Sequence, residues 1–130
     1  MPDLKGKCTV PGIVEGEVII SKEPISFLGD VDPQTGLIIA ENHPLKGQSI
    51  KGKIFAFPCG KGSTVGSYII FQMKKNGVAP RAIINQETEA IVATGAIISD
   101  IPMVTGIDIS KLKSGINIKL DCEKAEITLK

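Results

Sequence analysis

The segment of this 130-residue chain richest in chemistry is Phe57-Pro58-Cys59-Gly60-Lys61-Gly62-Ser63-Thr64-Val65-Gly66-Ser67. It lies between a β-rich run and a stretch of helical spacing, so it reads as a strand-to-helix loop. Gly60 and Gly62 flank Lys61, letting the backbone turn tightly and a ligand approach its amides unobstructed. A helix start offers unpaired N–H groups and the positive end of the helix dipole, which favour an anion. A serine hydroxyl in that field loses its proton at lower cost. Ser63 is therefore placed to act as a base or to border a phosphate. Capping is the plainer alternative, since serine is a favoured N-cap and Ser63 could satisfy an amide of the first turn. A P-loop is excluded by spacing: Gly-x-x-x-x-Gly-Lys-[Ser/Thr] is absent, and Lys61 precedes Gly62-Ser63 instead of following the glycine.

Other side chains carry weaker signals. Asp30 and Asp32 fall in a Gly/Pro-bounded loop where aspartate is a common turn former, and either could also face a substrate. His43, the only histidine, precedes Pro44 in a loop and reads as structural. Arg81 could reach a phosphate, and a surface ion pair is the simpler reading. Glu87 and Glu89 read as charges at a helix start. Cys8, Cys59 and Cys122 are odd in number and far apart, with no Cys-x-x-Cys pair. That spacing argues against a disulfide framework and for a reducing cytoplasm. Cys8 and Cys122 read as small buried apolar residues.

The elements that must position this loop follow from periodicity and punctuation. Strands are expected at 14–20, 37–40, 53–57, 81–84, 101–104, 115–120 and 125–129, each short and bounded by Gly, Pro or polar turns. The last two form a closing hairpin. A helix is expected from about Thr64 to Lys75, with Val65, Tyr68, Ile69 and Met73 on one face. Lys74 and Lys75 suit its last turn, and Asn76-Gly77 stops it. A second helix begins at Thr88 as N-cap, with Glu89 in its first turn, and ends before Ile101-Pro102. Gly95 weakens its distal end. Central strand–helix–strand units with β-rich flanks make one layered α/β domain, of β/β/α type, over residues 1–130.

Composition excludes several classes. Net charge is +1 and aromatic content 4%, so neither a basic stripe nor a stacking platform for nucleic acid exists. No apolar run approaches the ~20 residues of a membrane span, and the N-terminus has no signal-like stretch. The expected setting is the cytoplasm, with no membrane and no nucleic-acid partner.

Gly60-Lys61-Gly62-Ser63-Thr64, opening a helix after a β-rich half, resembles the Gly-x-Gly-Ser-Ser motif of the swivelling domain of aconitase-type hydro-lyases. The likeness extends to the stand-alone small subunit of the aconitase X group. It is carried by Ile25-Ser26-Phe27-Leu28-Gly29-Asp30-Val31-Asp32-Pro33-Gln34-Thr35-Gly36 and His43-Pro44-Leu45-Lys46-Gly47. It continues through the serine loop into Gly77-Val78-Ala79-Pro80-Arg81-Ala82-Ile83 and Gly95-Ala96-Ile97-Ile98-Ser99-Asp100-Ile101-Pro102. The resemblance implies a single swivelling β/β/α domain, barrel-like with a few short helices. It also implies a larger dehydratase partner, in a heterodimer or higher assembly, holding a [4Fe-4S] cluster on its own cysteines. No metal or cofactor is expected on this chain alone.

The branch it resembles most dehydrates (R)-5-phosphomevalonate to trans-anhydromevalonate 5-phosphate in an archaeal mevalonate route, so a small phosphorylated hydroxy acid is the implied substrate. Carried over by motif, Ser63 is the proton acceptor, and Gly60, Lys61, Gly62 and Thr64 border the substrate; Asp32 and Arg81 are lesser candidates. Aconitases proper place an arginine two residues after the serine. Val65 stands there in this chain, which puts citrate-like substrates in doubt and leaves the cation to Lys61 or the partner. Two alternatives within the fold remain: a cis-3-hydroxyproline dehydratase subunit and a non-catalytic partner-binding module. A phosphohistidine swivelling domain resembles Asp100-Ile101-Pro102-Met103-Val104-Thr105-Gly106, but it needs a histidine at the head of the central helix, where this chain has Ser63 and Thr64.

Overall fold

A computed structural model describes residues 3–61, 64–87 and 89–129. Among them run β1 (Leu4–Lys5), β2 (Lys7–Val10), β3 (Ile13–Ile20), α1 (Phe27–Asp30), β4 (Ile54–Phe57), α2 (Gly66–Lys75), β5 (Ala82–Asn85), α3 (Ala90–Ser99), β6 (Met103–Thr105), a 3-10 turn (Ile109–Lys111), β7 (Asn117–Asp121) and β8 (Glu126–Leu129). The strands form one sheet in the order β1-β8-β7-β3-β4-β5-β6-β2. The central β3, β4, β5 and β6 are parallel, whereas β7, β8, β1 and β2 join antiparallel.

The two ends of that order, β1 and β2, are separated in the chain only by Gly6. One N-terminal segment therefore pairs with β8 on one side of Gly6 and β6 on the other, and the sheet curls almost into a barrel. The Gly6 amide donates to the Ala125 carbonyl at 2.7 Å. A Cβ on Gly6 would overlap the carbonyl of Thr105, so only glycine fits where the edges meet.

Alternation along the parallel strands builds two cores. Val18, Ile54, Ala56, Ala82, Ile84 and Val104 turn toward the barrel interior with Ile118, Leu120 and Ile127. Ile19, Phe55, Phe57, Ile83 and Met103 turn the other way, against Ile69, Ile70 and Met73 of α2 and Val92 and Ala96 of α3. Both faces of β4 and β5 are buried, which is why those strands read as unbroken apolar runs.

Six of the seven expected strands form within a few residues of their expected bounds, the 115–129 hairpin included. The exception is 37–40. Leu37 makes a bridge to Ser49 and Ile38 one to Val31, and no ladder grows. Pro33, Gly36, Pro44 and Gly47 turn the chain too soon for a partner to lie alongside. Helix α2 starts at Gly66 rather than Thr64, and its buried face is Gly66, Ile69, Ile70 and Met73. Val65 and Tyr68, assigned to that face by spacing, are 45% and 59% exposed. Gly95 does not end α3: it lies where a Cβ would stand 2.6 Å from Ile70 Cδ1, so its bareness lets α3 approach α2. The four residues of α1 form one distorted turn, with Leu28 and Gly29 outside helical geometry.

Candidate functional site

The glycine–serine loop leaves the carboxyl end of β4 and is stitched to the rest of the domain on two sides. On one, the Pro58 carbonyl accepts from the Gln86 and Glu87 amides, each at 3.0 Å, tying the exit of β4 to the exit of β5. On the other, the Ile25 amide donates to the Cys59 carbonyl at 3.1 Å and the Lys61 amide to the Ile25 carbonyl at 3.0 Å. The Ile25–Asp30 segment and the serine loop are thus neighbours. Beneath them Phe27, Phe55 and Phe57 pack as a trio, with ring centroids 4.8–6.3 Å apart. Such aromatic contacts fix the approach of two segments that no regular ladder joins.

Gly60 is buried against the start of α3. An added Cβ would stand 2.5 Å from Val92 Cγ2 and 2.6 Å from Glu89 Oε2. Glu89, which reads from sequence as a first-turn charge, is the N-cap: its carboxylate accepts from the Ile91 and Val92 amides at 3.0 Å each. The floor beneath Gly60 is therefore a capped helix start, and Gly66, the first residue of α2, lies close to Ile91 of that same start. Two helix N-termini converge at the carboxyl ends of β4 and β5, the edge where α/β sheets hold ligands.

Gly62 and Ser63 lie outside the described residues, as does Thr88, the expected N-cap. On either side of them Lys61 and Thr64 are exposed. Among the described residues no carboxylate pairs with Lys61. The other candidates divide by position. Asp32 Oδ1 accepts from the Gln34 amide at 2.9 Å, and Asp30 Oδ2 from the Ser26 amide at 2.8 Å. Both act as turn formers, and Asp30 does so in the segment beside the loop. Arg81 precedes β5, at the end opposite the loop, where Nη1 donates to the Glu15 carbonyl at 3.0 Å. The structure does not bring it to Gly60 and Lys61.

His43 is buried, and its tautomer follows from its partners. Nδ1 accepts from the Leu45 amide at 3.0 Å, so the proton sits on Nε2, 3.1 Å from Ser21 Oγ. The ring pins the end of β3 to the 36–50 loop, a structural task. Cys59 is half-buried and Cys122 fully so, with burial pushing the Cys122 thiol up to about 12. Cys8 is exposed, contrary to its reading as a buried residue, because β2 is an outer strand whose position was not foreseen.

Sequence reasoning passed over Asn85. It ends β5 fully buried, its Nδ2 donating to the carbonyls of Phe57 at 3.0 Å and Ile84 at 3.2 Å, while Oδ1 has no partner among the described residues. The signal was a polar residue closing the apolar run Ala82-Ile83-Ile84. Among the described residues no three His, Cys, Asp or Glu side chains converge on a metal-sized site, and no helix is long and apolar enough to cross a membrane.

Comparison with known proteins places this geometry. The family described as the aconitase X swivel domain matches residues 3–129. The phosphomevalonate dehydratase small subunit of Thermococcus kodakarensis is 58% identical over 126 residues, 97% of this chain and 95% of that one. The crystal structure of Thermococcus kodakaraensis aconitase X in its holo-form superposes with TM-score 0.96 at 57% identity, over 98% of this chain and 97% of that one. A 3-isopropylmalate dehydratase from Methanocaldococcus jannaschii shares the fold alone, with TM-score 0.65 at 19% identity, over 89% of this chain and 75% of that one.

Proposed function

The chain belongs to the aconitase X swivel-domain family, and we propose that it works as the small subunit of a phosphomevalonate dehydratase. It is a hydro-lyase subunit that takes part in removing water from (R)-5-phosphomevalonate to give trans-anhydromevalonate 5-phosphate. The observation that carries this reading is near-full-length identity of 58% to a small subunit of that name, on a fold that bonds Pro58, Cys59 and Lys61 at the carboxyl edge of the sheet.

In this reading Ser63 takes the proton from the carbon next to the substrate carboxylate. In the same reading the amides of Gly62, Ser63 and Thr64 lower the cost of the charged oxygen. Lys61 adds a cation from the other side of the serine, where Val65 replaces the arginine of aconitases proper. Gly60 holds the loop to Glu89 and Val92, and the Ile25–Asp30 segment, with Asp32 just beyond it, forms its other wall. Arg81 is left to the base of the domain.

The family resemblance implies an iron–sulfur cluster, and the described residues of this chain do not fit one: no ligand set converges, and Cys59 stands alone beside the loop. The reading assigns the [4Fe-4S] cluster to the large subunit, where it supplies Lewis-acid chemistry for the departing hydroxyl. The complex works in the cytoplasm. The test is anaerobic copurification with the large subunit and assay on 5-phosphomevalonate, with cis-3-hydroxyproline in parallel. Turnover of the phosphorylated substrate by the complex, and none by this chain alone, is expected. Turnover by the chain alone, or of cis-3-hydroxyproline only, rejects the assignment.

A further inference from the structure

A groove of about 720 Å³ opens at the carboxyl ends of β3, β4 and β5. Ile20 ends β3, and Pro58 and Gln86 directly follow β4 and β5; the opposite wall is the segment after β6, around the 3-10 turn. Pro58 is also the first residue of the serine loop, so the groove and the loop share a wall.

The lining has a definite chemistry. Lys22 and Lys113 both contribute, and among the described residues no carboxylate does. The ion pairs among the described residues join Lys46 to Glu41 and Lys53 to Glu17, so neither groove lysine is committed to a carboxylate at contact distance. The Ser114 hydroxyl accepts from the Ile20 amide at 2.9 Å, which leaves its own proton to donate. Gln86 adds amide donors. Two ammonium groups act as point charges, and together they match the double negative charge of a phosphomonoester, with the neutral donors left for its remaining oxygens. The remaining wall is aliphatic, from Ile20, Pro58, Ile109 and Leu112, and carries no aromatic ring among the described residues. It fits a short branched hydrocarbon and offers nothing for a nucleobase to stack on.

We propose that this groove is the subsite for the phosphomonoester end of the substrate, with Lys22 and Lys113 distinguishing phosphorylated from unphosphorylated hydroxy acids. The proposal rests on the dehydratase reading and adds to it the residues that set substrate class. Both lysines are exposed, so Lys22→Met and Lys113→Met, which keep the stem, leave the fold intact.

The experiment is steady-state kinetics of the two-subunit complex on 5-phosphomevalonate, with inorganic phosphate as competitive inhibitor. Each single variant raises KM roughly tenfold and the double variant more, as expected for a lost charge-assisted hydrogen bond, with kcat held within about twofold. Phosphate inhibition weakens in parallel, and the double arginine variant recovers most of the affinity. Unchanged KM in the double variant overturns the proposal. So does loss of phosphate inhibition without a KM change, which marks a site for a free anion only. A fall in kcat at constant KM overturns it too. Failure of the wild-type complex to turn over the substrate is a separate result, and it removes the dehydratase reading itself.

Discussion

Gly60→Ala tests how the serine loop is held. Gly60 is not in the left-handed region, so the backbone tolerates alanine and the cost is one of space. The added methyl would stand 2.5 Å from Val92 Cγ2 and 2.6 Å from Glu89 Oε2, about 1 Å inside ordinary contact distance. Either the loop lifts or the Glu89 side chain moves. If Glu89 moves, the Ile91 and Val92 amides lose their cap, at about 1 kcal/mol. Overpacking adds about 1–3 kcal/mol, and the sum, roughly 2–4 kcal/mol, lowers Tm by about 6–16 °C for a domain of this size. If the loop lifts, a displacement of about 1 Å at the serine costs about 100-fold in kcat/KM. Thermal melting of the chain and steady-state assay of the complex read the two routes separately. Val92→Ala removes the nearer obstacle, so the double variant should be more stable than additivity allows by about 1 kcal/mol. A Gly60→Ala protein with parental Tm and parental activity, or strict additivity with Val92→Ala, refutes the packing argument.

Further expectations concern buried groups. His43→Phe strands the Leu45 amide and should cost about 1–3 kcal/mol in urea denaturation, with turnover per folded molecule unchanged in the complex. Asn85→Asp buries an anion beside the Phe57 carbonyl and should be far more damaging than Asn85→Leu, which also removes the unpaired Oδ1; equal melting temperatures for the two would count against this placement. The Cys122 thiol is raised from 9.0 to about 12 by burial. Its contribution to stability is therefore complete below pH 9 and is lost as pH rises from 9 toward 12. Cys122→Ala should flatten the alkaline fall in stability, and an identical pH profile would contradict it. Gly6→Ala, aimed at the seam of the barrel, should unfold the domain or lower Tm more than any exposed glycine change.

What could be read in advance was local. Apolar runs bounded by glycine and proline located β4, β5 and the β7–β8 hairpin, because burial on one or both faces writes itself into period and composition. The cation-rich end of α2 and its Asn76-Gly77 stop were equally legible: the Asn76 amide donates back to the Gln72 carbonyl, and the Gly77 amide to that of Lys74. What escaped depended on neighbours distant in sequence. The strands at 4–10 carry lysines and a central glycine, and they exist because two sheet edges meet there. Leu37-Ile38-Ile39-Ala40 has strand composition without a partner to pair with. Glu89 looked like a helix-start charge, and only the close approach of Gly60 shows it as the floor of the loop. Asn85 gave one faint sign, polarity at the end of an apolar strand. The serine motif itself was recognisable by its glycines and its place before a helix, while the groove with Lys22 and Lys113 joins residues about ninety positions apart that no local pattern connects.

The central claim concerns one hydroxyl, and Ser63→Ala in the reconstituted complex addresses it most directly. With the large subunit in excess, kcat on 5-phosphomevalonate should fall by about 10²–10⁴, the range of a lost general base. Affinity for the large subunit, measured by titration, should stay at the parental value. Full turnover by the alanine complex would show that another group takes the proton and that this chain serves only to close over its partner.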